Sequence, residues 1–174
     1  MGFRVQLIAV SGKSPVAVCR DYGVAPTGRR EEVPESPVVG TALPSGAYLL
    51  FINDVIVPDD RVYARLSRTA ALVACYANET VMNSYACGWA DGAERWSVWH
   101  DAQQGLDHLE VRGTPPPELR SIRDRLLGRQ VGVTDTDFAF DVPIELFAAL
   151  GGVRYDRAIP GAGTDPWEIL ERVG

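Results

Sequence analysis

The chain has 174 residues, 46% hydrophobic and 23% charged, with a formal net charge of −6. That length suits a single domain, 1–174, with one sizeable core. The acidic balance excludes duplex nucleic acid as a main partner, because phosphate contacts need a basic face.

No apolar run approaches the roughly 20 residues of a membrane span, so no membrane contact is expected. Met1 to Leu7 includes Arg4 and Gln6 where a signal peptide would run apolar, and a cytoplasmic protein is expected. Cys19, Cys75 and Cys87 are odd in number and show no C-x-x-C spacing. They read as buried reduced thiols rather than a disulfide framework or a zinc cluster, and no cofactor or metal is implied. Sixteen of the seventeen basic residues are arginine, Lys13 being the only lysine.

In chain order, Phe3 to Val10 reads as an opening strand with Phe3, Val5 and Leu7 on one face. Ser14 is a good N-cap with Pro15 at the first helical position, and Gly23 stops that helix after Tyr22. Four prolines (Pro26, Pro34, Pro37, Pro44) and the charged run Arg29 to Glu32 describe a long irregular loop over 24–45. Loops of that length are often functional. Tyr48 to Ile52 is apolar throughout, as in a strand covered on both faces, and Val55 to Val57 continues the apolar stretch. Pro58-Asp59-Asp60 then opens a short helix with Val62, Tyr63 and Leu66 at helical spacing.

A central β-meander is predicted over about 70–112: strands at about 70–77, 81–90, 94–101 and 106–112, the second and third joined by Asp91-Gly92, a strong hairpin signal. After Pro115, Pro116 and Pro117, a helix runs from about Glu118 to Leu127, with Leu119, Ile122, Leu126 and Leu127 as its buried stripe and Gly128 just past its end. Phe138 to Phe140 suggests a short strand, Ile144 to Leu150 a last clear helix, and Val153 to Tyr155 an edge strand. The tail, 156–174, is loop-rich, with a final turn at Trp167 to Arg172. These elements indicate an α+β fold: a mixed, mostly antiparallel sheet packed by roughly three to four short helices.

The meander holds three of the four tryptophans and both histidines. A two-residue type I′ turn at Asp91-Gly92 would set Trp89 opposite Glu94, Cys87 opposite Trp96, Tyr85 opposite Val98 and Asn83 opposite His100. One face would then carry Asn83, Tyr85, Cys87, Trp89, Trp96, Val98 and His100. The other would combine Ser84, Ala86, Gly88 and Ala90 with Arg95, Ser97, Trp99 and Asp101. Aromatic pairs of this kind stabilise sheets, but so few helices leave one face short of cover. Tyr85, Trp89, Trp96 and Trp99 are therefore the candidate anchors for a protein partner, with Glu31, Glu32 and Glu35 of the acidic loop as a second contact.

His100, Asp101 and His108 form the cluster with catalytic residue types, suited to a general base or, with a divalent metal, to a small hydrolase. Their spacing matches no H-E-x-x-H pattern, and no G-x-S-x-G elbow supplies a nucleophile. Cys87 would lie about 13 Å along the strand from His100, too far to pair with it. Ser11-Gly12-Lys13-Ser14 sits between a strand and a helix, but Leu7 stands where a phosphate-binding loop needs glycine. A turn with an N-cap explains that tetrad.

A small acidic α+β chain with an aromatic meander is similar, in composition and architecture though in no motif, to bacterial immunity and inhibitor proteins. The function expected is a non-catalytic interaction protein, immunity-like or a regulatory subunit, that binds a basic protein partner. The alternatives are the hydrolase at His100, Asp101 and His108 and a homodimer built on an exposed sheet face.

Overall fold

The structure is a computed structural model that describes residues 2–53 and 59–174. Its elements run β1 (Arg4–Ser11), α1 (Pro15–Tyr22), β2 (Val24–Glu31), β3 (Val38–Ala42), β4 (Tyr48–Asn53), α2 (Asp60–Leu66), β5 (Ala71–Asn78), β6 (Asn83–Ala90), β7 (Ala93–Asp101), β8 (Glu110–Gly113), α3 (Glu118–Gln130), α4 (Asp141–Gly151) and β9 (Trp167–Arg172). The strands form one open nine-stranded sheet in the order β2-β9-β3-β4-β1-β5-β6-β7-β8. Each neighbouring pair is antiparallel. The fold is α+β, as the sequence pattern indicates, and among the described residues no helix is long and apolar enough to cross a membrane.

Strand alternation sends side chains to two faces, and the helices divide between them. On one face Ile8, Val10, Leu50, Leu72 and Cys87 pack with Val18 and Cys19 of α1 and Tyr63 and Leu66 of α2. On the other, Leu7, Leu49, Phe51 and Cys75 pack on Ile144 and Phe147 of α4. Farther along that second face Ala86, Trp96 and Val98 meet Leu119, Ile122 and Leu126 of α3 and Leu146 of α4. Helices α1 and α2 stop short of the far strands. Helix α2 reaches the first face of β6 at Cys87 and Trp89; among the described residues, no helix packs on that face of β7 and β8.

Local chemistry explains the early elements. The Ser14 hydroxyl accepts from the Ala17 amide at 3.2 Å, and Gly23 closes α1 at φ 89°. Lys13 has a structural job: its Nζ donates to the carbonyls of Arg65 and Leu66 at 3.0 and 2.8 Å and to Asp21 Oδ2 at 2.7 Å. It thereby caps the C-terminal end of α2, where backbone carbonyls lack partners. Burial works against the Asp21 carboxylate, but hydrogen bonds and charge from Lys13 and Arg20 outweigh it and hold its pKa below the ordinary 3.8. The sign follows from that lowered value: the stabilisation is present above about pH 4 and is lost as pH falls through the folded-state value. Lys13→Met is expected to cost about 1–3 kcal/mol and to flatten this acid limb, checked by urea unfolding across pH 2.5 to 6.

Five expectations are corrected. The stretch 24–45 is not one irregular loop: it contains β2 and β3, and β9 lies between them. Pro26 is tolerated because β2 is an edge strand, and its register shifts between Pro26 and Arg30. Thr27 Oγ1 donates to the Ile169 carbonyl at 2.9 Å, and Arg30 donates to the carbonyls of Asp165 and Pro166, both at 2.7 Å. Trp167 to Arg172 is accordingly a paired strand instead of a terminal turn. Phe138–Phe140 and Val153–Tyr155 form no strand; both run irregularly beside α4 with their apolar side chains turned to the core. Helix α3 continues past Gly128 to Gln130, whose side chain ties the next turn through Val133 O, Thr136 O and Phe138 N. Residues Val55 to Pro58 lie outside the described residues.

Candidate functional site

The hairpin β6–β7 determines what the uncovered face presents. Asp91 and Gly92 sit at φ 52° and 78°, the left-handed pair a type I′ turn needs. Ala90 opposes Ala93 and Trp89 opposes Glu94, as the turn predicts. The next pair is Gly88 with Trp96, so Arg95 is a bulge residue and every later partner moves by one. Cys87 faces Ser97, Tyr85 faces Trp99, Ser84 faces His100 and Asn83 faces Asp101.

That one residue exchanges the faces of β7. Trp96, Val98 and His100 turn inward toward α3 and α4, and Ser97, Trp99 and Asp101 turn to the uncovered side. The reason is visible at Gly88: a Cβ there would overlap the Trp96 indole, so the ring occupies the space a side chain would fill. Trp96 is 7% exposed and belongs to the α3–α4 core. Trp89, 8% exposed, packs on Tyr63 of α2 with ring centroids 5.9 Å apart. Neither presents a surface anchor, which corrects the expectation for both. Cys87 and His100, expected on one face, lie on opposite faces.

The register continues outward into a row of side chains across four strands: Gln6 on β1, Tyr76 on β5, Tyr85 on β6 and Trp99 on β7. Glu110 of β8 extends it. Gln6 is buried and donates through Nε2 to the Tyr63 hydroxyl at 2.5 Å. Tyr76, Tyr85 and Trp99 are half-buried and floor an open cleft of about 520 Å³, whose lining also includes Asp60, Tyr63, Asn83, Glu94, Ser97, Glu110 and Arg112. Tyr85 and Trp99 are thus where a surface anchor was expected. Tyr76 was missed, although extending the register by one strand from Tyr85 would have found it.

The cleft is acidic. Three carboxylates (Asp60, Glu94, Glu110) face one guanidinium, that of Arg112. Arg112 Nε donates to Glu110 Oε1 at 2.6 Å, which leaves Glu94 and Asp60. The Tyr85 hydroxyl donates to Glu94 Oε2 at 3.1 Å. Burial, then the Cys87 thiol and the Glu94 carboxylate, push the Tyr85 phenol above its ordinary range, so it remains a neutral donor. Burial likewise pushes the Cys87 thiol beneath the floor up to about 12, and the charges of Glu94 and Asp60 add to it. An inert thiol under two carboxylates is no nucleophile.

His100 and His108 do come together, with ring centroids 6.1 Å apart, but each is engaged. His100 is fully buried. Its Nδ1 lies 2.7 Å from the His108 carbonyl and its Nε2 lies 2.9 Å from Asp137 Oδ2. A carbonyl only accepts, so Nδ1 donates to it, and Nε2 faces the Asp137 carboxylate. Asp137 Oδ1 accepts from the Phe140 amide at 3.1 Å. His108 Nδ1 accepts from the Asp101 amide at 2.9 Å, and its ring meets Trp99 edge-on at 5.0 Å. His100 therefore braces two loops against the end of the sheet and offers no ring nitrogen to a substrate. Among the described residues, no group of three or more His, Cys, Asp and Glu side chains is placed to hold a metal ion.

The acidic segment lies elsewhere. Glu31 closes the loop that follows it, accepting from the amides of Glu35 and Ser36 at 2.8 and 2.9 Å and from the Ser36 hydroxyl at 2.8 Å. Glu32 and Glu35 border a second cleft of about 710 Å³ with Phe51, Tyr155 and Trp167, on the α4 side of the sheet. Strand β3 is five positions from β7, about 24 Å at 4.8 Å per strand. The acidic segment and the Tyr85–Trp99 floor therefore open on opposite faces and do not form one surface. No protein-family model, curated protein or solved structure matches this chain.

Proposed function

We propose that this chain is a non-catalytic interaction protein that holds a protein partner against the uncovered face of its meander, as an immunity-like neutralising protein or a regulatory subunit does. The observation that supports the reading is the half-buried row Tyr76, Tyr85 and Trp99 in an open cleft, which α2 borders at Asp60 and Tyr63 without closing it. Tyrosine and tryptophan bury large area with few rotors to freeze, which makes them effective anchors. The carboxylates at its margin favour a basic partner and would speed the encounter.

Glu32 and Glu35 stand outside this surface. The test is capture from a lysate of the source cell with the wild-type chain beside a Trp99→Ala variant shown to fold. A basic protein retained by the wild type and lost by the variant is expected. Equal retention by both would remove the meander face from the interaction. A concentration-dependent dimer that Trp99→Ala abolishes would make the partner a second copy of the chain.

A further inference from the structure

We propose, building on that reading, that the group the cleft takes from its partner is an arginine side chain, laid flat on the Tyr76–Tyr85–Trp99 row with its guanidinium between Glu94 and Asp60. The row places three aromatic rings side by side on three successive strands. Among the described residues, the aromatic neighbour of Trp99 is His108, which meets it edge-on at 5.0 Å, and Tyr76 and Tyr85 are stacked on no ring.

The charges select the cation. Glu110 is already satisfied by Arg112 at 2.6 Å, and this contact shows how a guanidinium meets a carboxylate on this floor. Tyr85 fixes Glu94 through Oε2, and no described donor takes its Oε1. Asp60 has no hydrogen-bond or ion-pair partner among the described residues; Asp59, beside it, caps α2 by accepting from the Arg61 amide at 2.9 Å. Two carboxylates with open acceptor positions over an aromatic floor suit a planar cation that can stack and donate in two directions at once. Arginine does both, whereas an ammonium is a compact, strongly hydrated point charge. An acidic or neutral side chain would leave the carboxylates repelled or desolvated without a partner.

The test uses the full chain and capped Gly-Gly-Xaa-Gly-Gly peptides, with Xaa arginine, lysine, citrulline or glutamate. The indole N–H resonances are followed by NMR, with Trp89, Trp96 and Trp167 as internal controls. The arginine peptide is expected to shift Trp99 selectively and saturably. It should bind about tenfold more tightly than the citrulline peptide, a difference of about 1.4 kcal/mol. Glu94→Gln and Asp60→Asn should each weaken it severalfold without moving the control resonances.

The arginine proposal is overturned if citrulline binds as well, if neither neutral variant weakens binding, or if the arginine peptide leaves Trp99 unmoved. If that happens while Trp99→Ala still abolishes capture of the protein partner, the surface stands and only its arginine specificity fails. If capture survives Trp99→Ala, the surface itself fails, and a peptide shift would then report a cation site with no role in that partnership.

Discussion

Trp96→Ala is expected to destabilise the fold by about 3–5 kcal/mol, whereas Trp99→Ala, three residues along the same strand, is expected to cost about 1 kcal/mol. The contrast follows from the bulge at Arg95. Trp96 fills the space above Gly88 and touches the stripe of α3, so its removal opens a cavity in a core that cannot close over it. Trp99 is half-buried and leans on His108, so its loss removes surface area and one edge-on contact. A domain of this size has roughly 5–15 kcal/mol of stability in total, so the first variant should be marginal and the second well folded. Urea unfolding of both decides the matter. Equal losses would mean that Trp99 is also core, and the binding surface would lose its central residue.

His100→Ala is the second large effect, expected at about 3–5 kcal/mol. The substitution leaves the Asp137 carboxylate, 5% exposed, without its partner, and releases the His108 carbonyl that Nδ1 held. Asp137→Asn should cost less, because an amide in that place can still hydrogen-bond the ring. The double variant should lose less than the sum of the two, with a coupling of about 0.5–3 kcal/mol. Wild-type stability in His100→Ala would show that the ring braces nothing and would reopen a chemical role for it.

Much of this architecture is legible in the chain because its causes are local. The Ser14 cap, the Gly23 stop, the Asp59 cap and the left-handed Asp91-Gly92 turn each act within a few residues, and the helices and hairpin follow from them. What is hidden is non-local. Strand β9 pairs with residues more than a hundred positions earlier, as the Thr27–Ile169 contact shows, so Pro26 reads as loop when an edge strand was being completed by the far end of the chain. The partner of His100 is Asp137, 37 residues away, with no motif to link them.

The bulge is an intermediate case. Gly88 inside a strand next to Trp89 is a signal for a bulge or a close approach, and reading it would have exchanged Trp96 for Trp99 on the exposed face. The site was therefore half visible: Tyr85 and Trp99 are in it, Trp89 and Trp96 are beneath it or behind it, and Tyr76, Glu94 and Asp60 emerge only once the strands are placed side by side.

Site-specific photocrosslinking in the source cell tests most directly whether the meander face is the binding surface. A benzophenone side chain replaces Arg112, exposed at the margin of the cleft, and in a second strain Val131, which is 81% exposed just past the end of α3. One discrete protein adduct is expected from position 112, lost when Trp99→Ala is added, and none from position 131. An adduct of the same partner from position 131, with none from position 112, would contradict the meander-face reading and move the interaction away from the sheet.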